Sequence, residues 1–341
     1  MQRVSLKTKA WAYFDRIVAD AAPGGVHSNP WTIDPEGLLA YAPDFDTLER
    51  LLGVPLYFKA PTTTGVPALA LDVWLSYELR RAGFSKDGVW PRAEHPRILP
   101  QAVANLIDGA PKKLRAEISN LLTAKTSITG VTSSSASILG KNYLKQVDVI
   151  MTDWQTGPEI LISTKRMDSS FGKNAANRVE ESYGDAKNLR LRHPLAALGF
   201  VFGLRSTILD EEPDKAEWLI DLLEKLGQED DAYHATCLVM IEYSDGVAPA
   251  DEDSIDTEDA LVAAGLEEAS DEEDVLPVEP ASDIDVVLAS LPDVTILHSK
   301  IPTGLSPSRF LGTMVRRVIA ATPVTMHRAV RARINEVVNG A

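Results

Sequence analysis

Alternation of apolar and polar positions is clearest in two neighbouring segments in the middle of the chain. Residues 142–152 alternate and then become apolar, residues 159–166 alternate again, and a polar segment at 155–158 separates them. Apolar residues at every second position indicate strands with one buried face, and a short segment of turn-forming residues indicates their connection. The pattern therefore predicts a β-hairpin.

Helical spacing predicts the elements on either side of this hairpin. Apolar residues recur three and four positions apart from Pro67 until Gly83, and again from Phe171 to Leu189. Further along, the apolar runs at 195–207 and 233–246 are typical of buried strands, and a helical segment at 213–227 separates them. This order predicts an α/β fold with a mixed sheet flanked by helices.

Helical patterns also occur toward both ends of the chain. Residues 8–22 and 101–124 have helical spacing, and two basic amphipathic helices are expected near 308–321 and 325–338. We divide the chain into four regions: an N-terminal helical and loop region (1–60), a core (61–250), an acidic disordered linker or insertion with at most one short helix near 259–264 (251–285), and a return to the core with the basic C-terminal helices (286–341).

The net charge of -15 is unevenly distributed along the chain. Of the 49 acidic residues, 15 lie between Asp251 and Asp285, a segment without Lys or Arg, so the remainder holds 34 acidic and 34 basic residues. In contrast, residues 300–335 contain seven basic residues and no acid. The charge distribution therefore permits a nucleic-acid partner, because a basic patch of this kind can contact phosphates.

Several classes of protein are excluded or disfavoured. The longest apolar run, Leu195 to Leu204, is far shorter than the roughly 18 residues of a membrane span, and no signal-peptide pattern begins the chain, so we expect a cytoplasmic protein. Cys237 is the single cysteine, which excludes an internal disulfide and a cysteine-rich zinc site. The histidines lack ligand spacing and no Gly-rich phosphate loop is present, so neither zinc nor ATP dependence is expected.

The hairpin carries candidate chemistry on one face. If its turn is centred between Thr156 and Gly157, Asp148 lies opposite Lys165, and Ser163 projects to the same face because strand side chains alternate. Carboxylates that hold Mg²⁺, with a lysine nearby, suit phosphodiester hydrolysis, because the metal lowers the pKa of an attacking water. The alternative is an exposed cross-strand ion pair without catalytic function.

A second acidic candidate lies in the helix predicted after Pro67. Glu78 falls within its apolar stripe, and a buried carboxylate requires a cation, a metal or a hydrogen-bond partner. Two interpretations remain open: Glu78 approaches a metal, or it lies at the edge of the stripe and pairs with Arg81 or Arg80.

The hairpin and the KNAANRVEE segment that follows it resemble the PD-(D/E)xK nuclease superfamily, and Type II restriction endonucleases in particular, over roughly residues 67–206. Two positions depart from the family pattern: Val147 replaces the proline, and Ser163 replaces the acid that usually stands two residues before the lysine. Some members with Ser-x-Lys supply the missing carboxylate from the following helix. The resemblance therefore implies Glu180 as that ligand, with Glu181 as the next choice.

This resemblance implies a restriction-endonuclease-like fold with helical additions at both ends, and Mg²⁺ bound by Asp148, Glu180 and Glu78. It also implies sequence-specific cleavage of double-stranded DNA, a homodimer because cutting both strands commonly needs two sites, and a cognate DNA methyltransferase in the same system. The alternative is a DNA-binding or interaction protein that has lost catalysis through Ser163. The expected DNA contacts are Lys173, Asn177, Arg178, Arg316 and Arg317.

Overall fold

A mixed six-stranded sheet is formed by strands from both halves of the chain. The computed structural model describes residues 5–124, 128, 131–132, 136–169, 171–228, 232–247 and 281–340. The strands, in chain order, are β1 (Trp31–Ile33), β2 (Leu39–Tyr41), β3 (Val89–Trp90), β4 (Ser137–Leu139), β5 (Leu144–Gln146), β6 (Val149–Asp153), β7 (Gly157–Met167), β8 (Ala197–Arg205), β9 (Ala235–Glu242) and β10 (Thr295–Ile296). The large sheet has the order β10-β9-β8-β7-β6-β3, while β1-β2 and β4-β5 form small two-stranded sheets. In the large sheet β7, β8 and β9 are parallel to one another, and the remaining pairs are antiparallel.

Helices cover both faces of this sheet. The α-helices of the described residues are α1 (Leu6–Ala21), α2 (Phe45–Tyr57), α3 (Val66–Ala82), α4 (Gln101–Gly109), α5 (Lys112–Ala124), α6 (Phe171–Arg190), α7 (Ile208–Glu211), α8 (Pro213–Leu226), α9 (Ala281–Leu288), α10 (Pro307–Ala321) and α11 (Arg328–Gly340). Of these, α4 and α5 contribute to a small separate cluster. The predicted α/β fold with a mixed sheet flanked by helices is thus confirmed. Among the described helices, none combines the length and apolarity that crossing a membrane requires.

Alternate side chains of the central strands enter two different cores. Val201 packs on the face covered by α1, α2, α3 and α10, whereas its neighbours Phe200 and Phe202 pack on the face covered by α6 and α8. The N-terminal helices α1 and α2 therefore share one hydrophobic core with α3. This arrangement buries nearly all of α3, which lies against β7.

The structure differs from the predicted elements at several boundaries. The single helix predicted over 101–124 is two helices, because Pro111 lies between α4 and α5 and cannot donate a backbone hydrogen bond. Sequence analysis missed α2, although Asp44 caps it by accepting a hydrogen bond from Thr47 N and its leucines have helical spacing. The linker predicted from residue 251, including the short helix near 259–264, lies outside the described residues up to 280. The chain is then helical from Ala281.

Gly83 ends α3 in the left-handed region, with φ of +106°, and packs against the backbone of α11. A Cβ at this position would lie 2.9 Å from Val330 N. We expect Gly83→Ala to lower the free energy of unfolding by about 2–4 kcal/mol, because it adds left-handed strain to overpacking against a backbone. Urea unfolding measures the loss, and Gly109→Ala is the matched control because its Cβ would meet no atom within 4 Å. Equal stability of the two variants would contradict this account.

Candidate active site

The strand register differs from the predicted one by two residues. Val149 pairs with Ile162 and Ile150 with Leu161, and the register shifts by one residue between Met151 and Thr152. Continuing the regular pairing places Asp148 beside Ser163, so the predicted opposition of Asp148 and Lys165 was wrong. Since the error is an even number of residues, Ser163 and Lys165 remain on the face that was predicted to carry Asp148.

Two carboxylates meet at Thr164 on β7. The backbone N of Thr164 donates a hydrogen bond to Asp148 Oδ2 at 2.7 Å, and its hydroxyl Oγ1 donates to Asp72 Oδ1 at 2.5 Å. Asp148 directly precedes β6, and Asp72 lies on α3, which packs against β7. One residue of β7 therefore links an acid of the hairpin to an acid of the long buried helix.

Burial and a neighbouring carboxylate both act on the ionisation of Asp72. Asp72 is buried, and burial together with the charge of Asp148 holds the pKa of Asp72 well above its usual range. The Thr164 hydroxyl and the positive charges of Lys7 and Lys165 act in the opposite direction. Because two neighbouring carboxylates resist simultaneous ionisation, a divalent cation between them would stabilise the ionised pair.

Asp72 and Asp148 are the residues best placed to hold such a metal ion. Within the part of the chain that the structure describes, no group of three or more His, Cys, Asp or Glu side chains comes together. Mg²⁺ is commonly bound by one or two carboxylates and keeps several waters, so a pair of acids is a sufficient protein contribution. Lys165, the residue after Thr164, projects to the face of β7 that carries Ser163, opposite the Thr164 hydroxyl. It is half-buried, and its charge is close enough to affect the ionisation of Asp72.

Ser163, which stands where the family pattern has an acid, forms part of a different polar contact. It is buried and close enough to the hydroxyl of Tyr233 to affect the ionisation of that group, and the Tyr233 hydroxyl donates to Ser182 O at 2.9 Å. Ser182 belongs to α6 and Tyr233 to the segment before β9. Ser163 therefore joins β7 to the elements packed on the opposite face from Asp72.

Glu78 is not brought to Asp148, which corrects its expected role at the metal. Its carboxylate is fully buried and accepts hydrogen bonds from Asp44 N at 2.7 Å, the Tyr41 hydroxyl at 3.0 Å and Arg81 Nη1 at 2.8 Å. The alternative interpretation, an ion pair with Arg81, is confirmed. The acid that sequence analysis missed is Asp72, six residues earlier and about 9 Å along the helix axis. Its signal was the same as that of Glu78: a carboxylate within a largely apolar helix.

The two glutamates of α6 lie on different sides of the helix. Both are exposed, and Glu180 lines a groove between α6 and α8 together with Tyr183, Trp218 and Lys225. Glu181 lies one turn before Asp185, whose carboxylate pairs with Lys145 of β5 at 2.8 Å. Glu181 therefore shares a side of α6 with Asp185, and Glu180, the preferred candidate from the sequence, lies beside α8.

The expected DNA contacts are only partly described. The side chains of Lys173, Asn177 and Arg178 lie outside the described part of the structure. Arg316 and Arg317 are exposed on α10, which packs against β8 and β9. The Arg316 guanidinium lies 6.0 Å from the ring centroid of Trp31, and Arg317 is close to Arg190.

Other members of the basic C-terminal segment have structural contacts. Arg331 donates to the carbonyl oxygens of Ile319 and Thr322, which satisfies the last turn of α10, and Arg333 donates to Ser28 O at 2.8 Å. Fewer basic side chains are therefore available to contact phosphates than the seven basic residues of the sequence suggest.

No protein-family model, curated protein or solved structure matches this chain. The hydrogen bonds of Asp72 and Asp148 to Thr164, with the charge of Lys165 nearby, are therefore the basis for assigning a function.

Proposed function

We propose that this protein is a Mg²⁺-dependent DNA endonuclease of restriction type. The observation that supports the proposal is the meeting of the Asp72 and Asp148 carboxylates at Thr164, with Lys165 as the next residue. Mg²⁺ bound there would lower the pKa of a coordinated water and reduce the negative charge on the scissile phosphate. The proposal keeps Asp148 and Lys165 from the sequence and replaces Glu78 and Glu180 with Asp72, while Glu181 remains a further candidate.

Thr164 and Lys165 would support the reaction in different ways. Thr164 fixes both carboxylates through its backbone N–H and its hydroxyl, so neither acid needs to reorganise when DNA binds. The Lys165 ammonium would stabilise the negative charge that develops on the phosphate oxygens as water attacks. Because α3 and β7 are packed regular elements, the two acids are held on a rigid part of the molecule.

The more specific features of the proposal derive from the resemblance of the hairpin and the following helix to restriction enzymes. They are a sequence-specific double-strand cut, a homodimer, a cytoplasmic location and a partner DNA methyltransferase. Each follows from the biology of such enzymes and depends on cleavage being observed first.

The direct test is digestion of DNA of mixed sequence by the purified full-length protein. We expect Mg²⁺ to produce discrete fragments and excess EDTA to prevent cutting, because the two acids alone cannot activate water. Sequencing the fragment ends would then reveal the recognition site and the position of the cut. If no DNA is cut with either Mg²⁺ or Mn²⁺, the proposal is wrong.

One alternative is supported by specific observations: a DNA-binding protein on a nuclease-like scaffold. Ser163 occupies the usual position of an acid and contacts Tyr233, and the described residues contain no three-donor metal cluster. This protein would bind DNA equally well with EDTA or Mg²⁺ and would leave the DNA intact. Isothermal titration of the protein with Mg²⁺ separates the two functions, since only the nuclease requires binding of the ion.

A further inference from the structure

Three basic side chains from separate elements converge beside the first residues of β8 and β9. Arg190 is the last residue of α6, His234 directly precedes β9, and Arg317 lies on the exposed side of α10. The Arg190 Nη1 atom contacts His234 Nε2, and both arginines act electrostatically on the imidazole. We call these three residues the Arg-His-Arg cluster.

The hydrogen bonds of His234 leave two donors facing each other. Leu198 N donates to His234 Nδ1 at 2.9 Å, so this nitrogen has no proton, and a neutral ring must carry its proton on Nε2. The Nε2–H group then faces the guanidinium of Arg190, which is also a donor. An anion beside the pair, accepting hydrogen bonds from both groups, would relieve this contact between donors.

Among the described residues, no acid forms an ion pair with the arginines of the cluster. The two guanidiniums are close enough for Arg190 to lower the pKa of Arg317. Burial and both arginines lower the pKa of His234 to about 3, so its ring remains neutral at physiological pH. Glu224 lines an adjacent cavity of about 130 Å³, which His234 also lines, and pairs with neither arginine.

We propose that the Arg-His-Arg cluster binds a phosphate group, and specifically a backbone phosphate of DNA. A tetrahedral oxyanion supplies several acceptor oxygens, which match the Nε2–H donor and the forked donors of the two guanidiniums. The exposed position of Arg317 leaves the cluster accessible to a large ligand. The choice of DNA over free phosphate rests on the proposed nuclease function.

The position of the cluster suits a contact away from the cut. Leu198, which binds His234, pairs with Leu161 of the neighbouring strand, three residues before Thr164. With a rise of ~3.3 Å per residue and a strand spacing of ~4.8 Å, the Leu198 and Thr164 backbones are about 11 Å apart. This separation corresponds to roughly three base-pair steps of 3.4 Å, within the length of a short duplex.

DNA binding in EDTA tests the cluster without any cleavage. We expect Arg190→Gln and Arg317→Gln each to raise the Kd for a labelled duplex by about 5- to 10-fold and to reduce the slope of log K against log salt by about one. Arg192→Gln is the matched control, because Arg192 is exposed two residues beyond Arg190 and no described residue pairs with it. The cluster variants should unfold at the same temperature as the wild type or higher, since each removes one of two like charges.

The outcomes separate the DNA site from a free-phosphate site and from the nuclease itself. Unchanged affinity and salt slope in both variants would overturn the proposal. Loss of inorganic-phosphate binding by calorimetry, with DNA binding unchanged, would equally overturn it in favour of a free-phosphate site. If the variants bind DNA weakly while the wild type never cuts, the cluster stands and the nuclease proposal fails. If the wild type cuts DNA but its DNA affinity does not depend on Arg190 or Arg317, the nuclease proposal stands and the cluster proposal fails.

Discussion

Asp72→Asn is expected to reduce DNA cleavage as severely as Asp148→Asn or Lys165→Ala, by about 10²–10⁴-fold in kcat/KM. Asp72 and Asp148 are linked through Thr164, and each would supply one carboxylate to the metal. An asparagine keeps the size of the side chain and an acceptor for Thr164, but it removes the negative charge that attracts Mg²⁺. Rates of plasmid cleavage at saturating Mg²⁺ measure the effect.

The control for this series is Asp153→Asn. Asp153 is the last residue of β6, five positions after Asp148, and its carboxylate accepts a hydrogen bond from Gln155 N in the turn. It should cut DNA at the wild-type rate. Calorimetric titration with Mg²⁺ adds a second measurement, in which the Asp72 and Asp148 variants lose binding while retaining their unfolding temperature. Normal cleavage by Asp72→Asn would remove Asp72 from the site.

Glu78→Ala is expected to lower the free energy of unfolding by about 3–5 kcal/mol, because it leaves the guanidinium of Arg81 buried without its carboxylate. Glu78 is fully buried, and the variant also removes the acceptor used by the Tyr41 hydroxyl and Asp44 N. Urea unfolding measures the loss. The protein that remains folded should still bind Mg²⁺ and cut DNA.

A double variant provides the control for this second prediction. Glu78→Leu combined with Arg81→Met removes both charges and retains apolar volume, so it should recover much of the stability lost in Glu78→Ala. If Glu78→Ala instead abolished cleavage while the unfolding free energy stayed at the wild-type value, Glu78 would belong to the metal site. The structure would then have assigned the wrong acid of α3.

The two experiments distinguish two acids of one helix by their partners. Asp72 is bonded to β7, next to the other candidate catalytic residues, while Glu78 is bonded to Tyr41 and Asp44 near the start of α2. Both are buried, so burial alone does not separate a candidate metal ligand from a structural acid. The residues to which each acid is hydrogen-bonded do separate the two roles.

The sequence by itself determined the elements whose patterns are local. The helix after Pro67, the helix after Ser170 and the buried strands β8 and β9 follow from periodicity over ten to twenty residues, and their order determined the α/β class. The ion pair of Glu78 with Arg81 could also be predicted from the sequence, because the partners are three residues apart on one helix. Spacing along the sequence is sufficient to predict a contact wherever both partners lie on the same helix or strand.

Only the tertiary structure decided which acids meet. The contact between Asp72 and Thr164 joins residues 92 positions apart, and the Asp148 register depends on an irregularity in β6 that no alternation pattern reveals. The Arg-His-Arg cluster likewise draws its members from α6, the segment before β9 and α10. Such contacts depend on how helices pack on the sheet, and packing is set by the whole core. For that reason the sequence could propose Asp148 and Lys165, but the fold was needed to add Asp72.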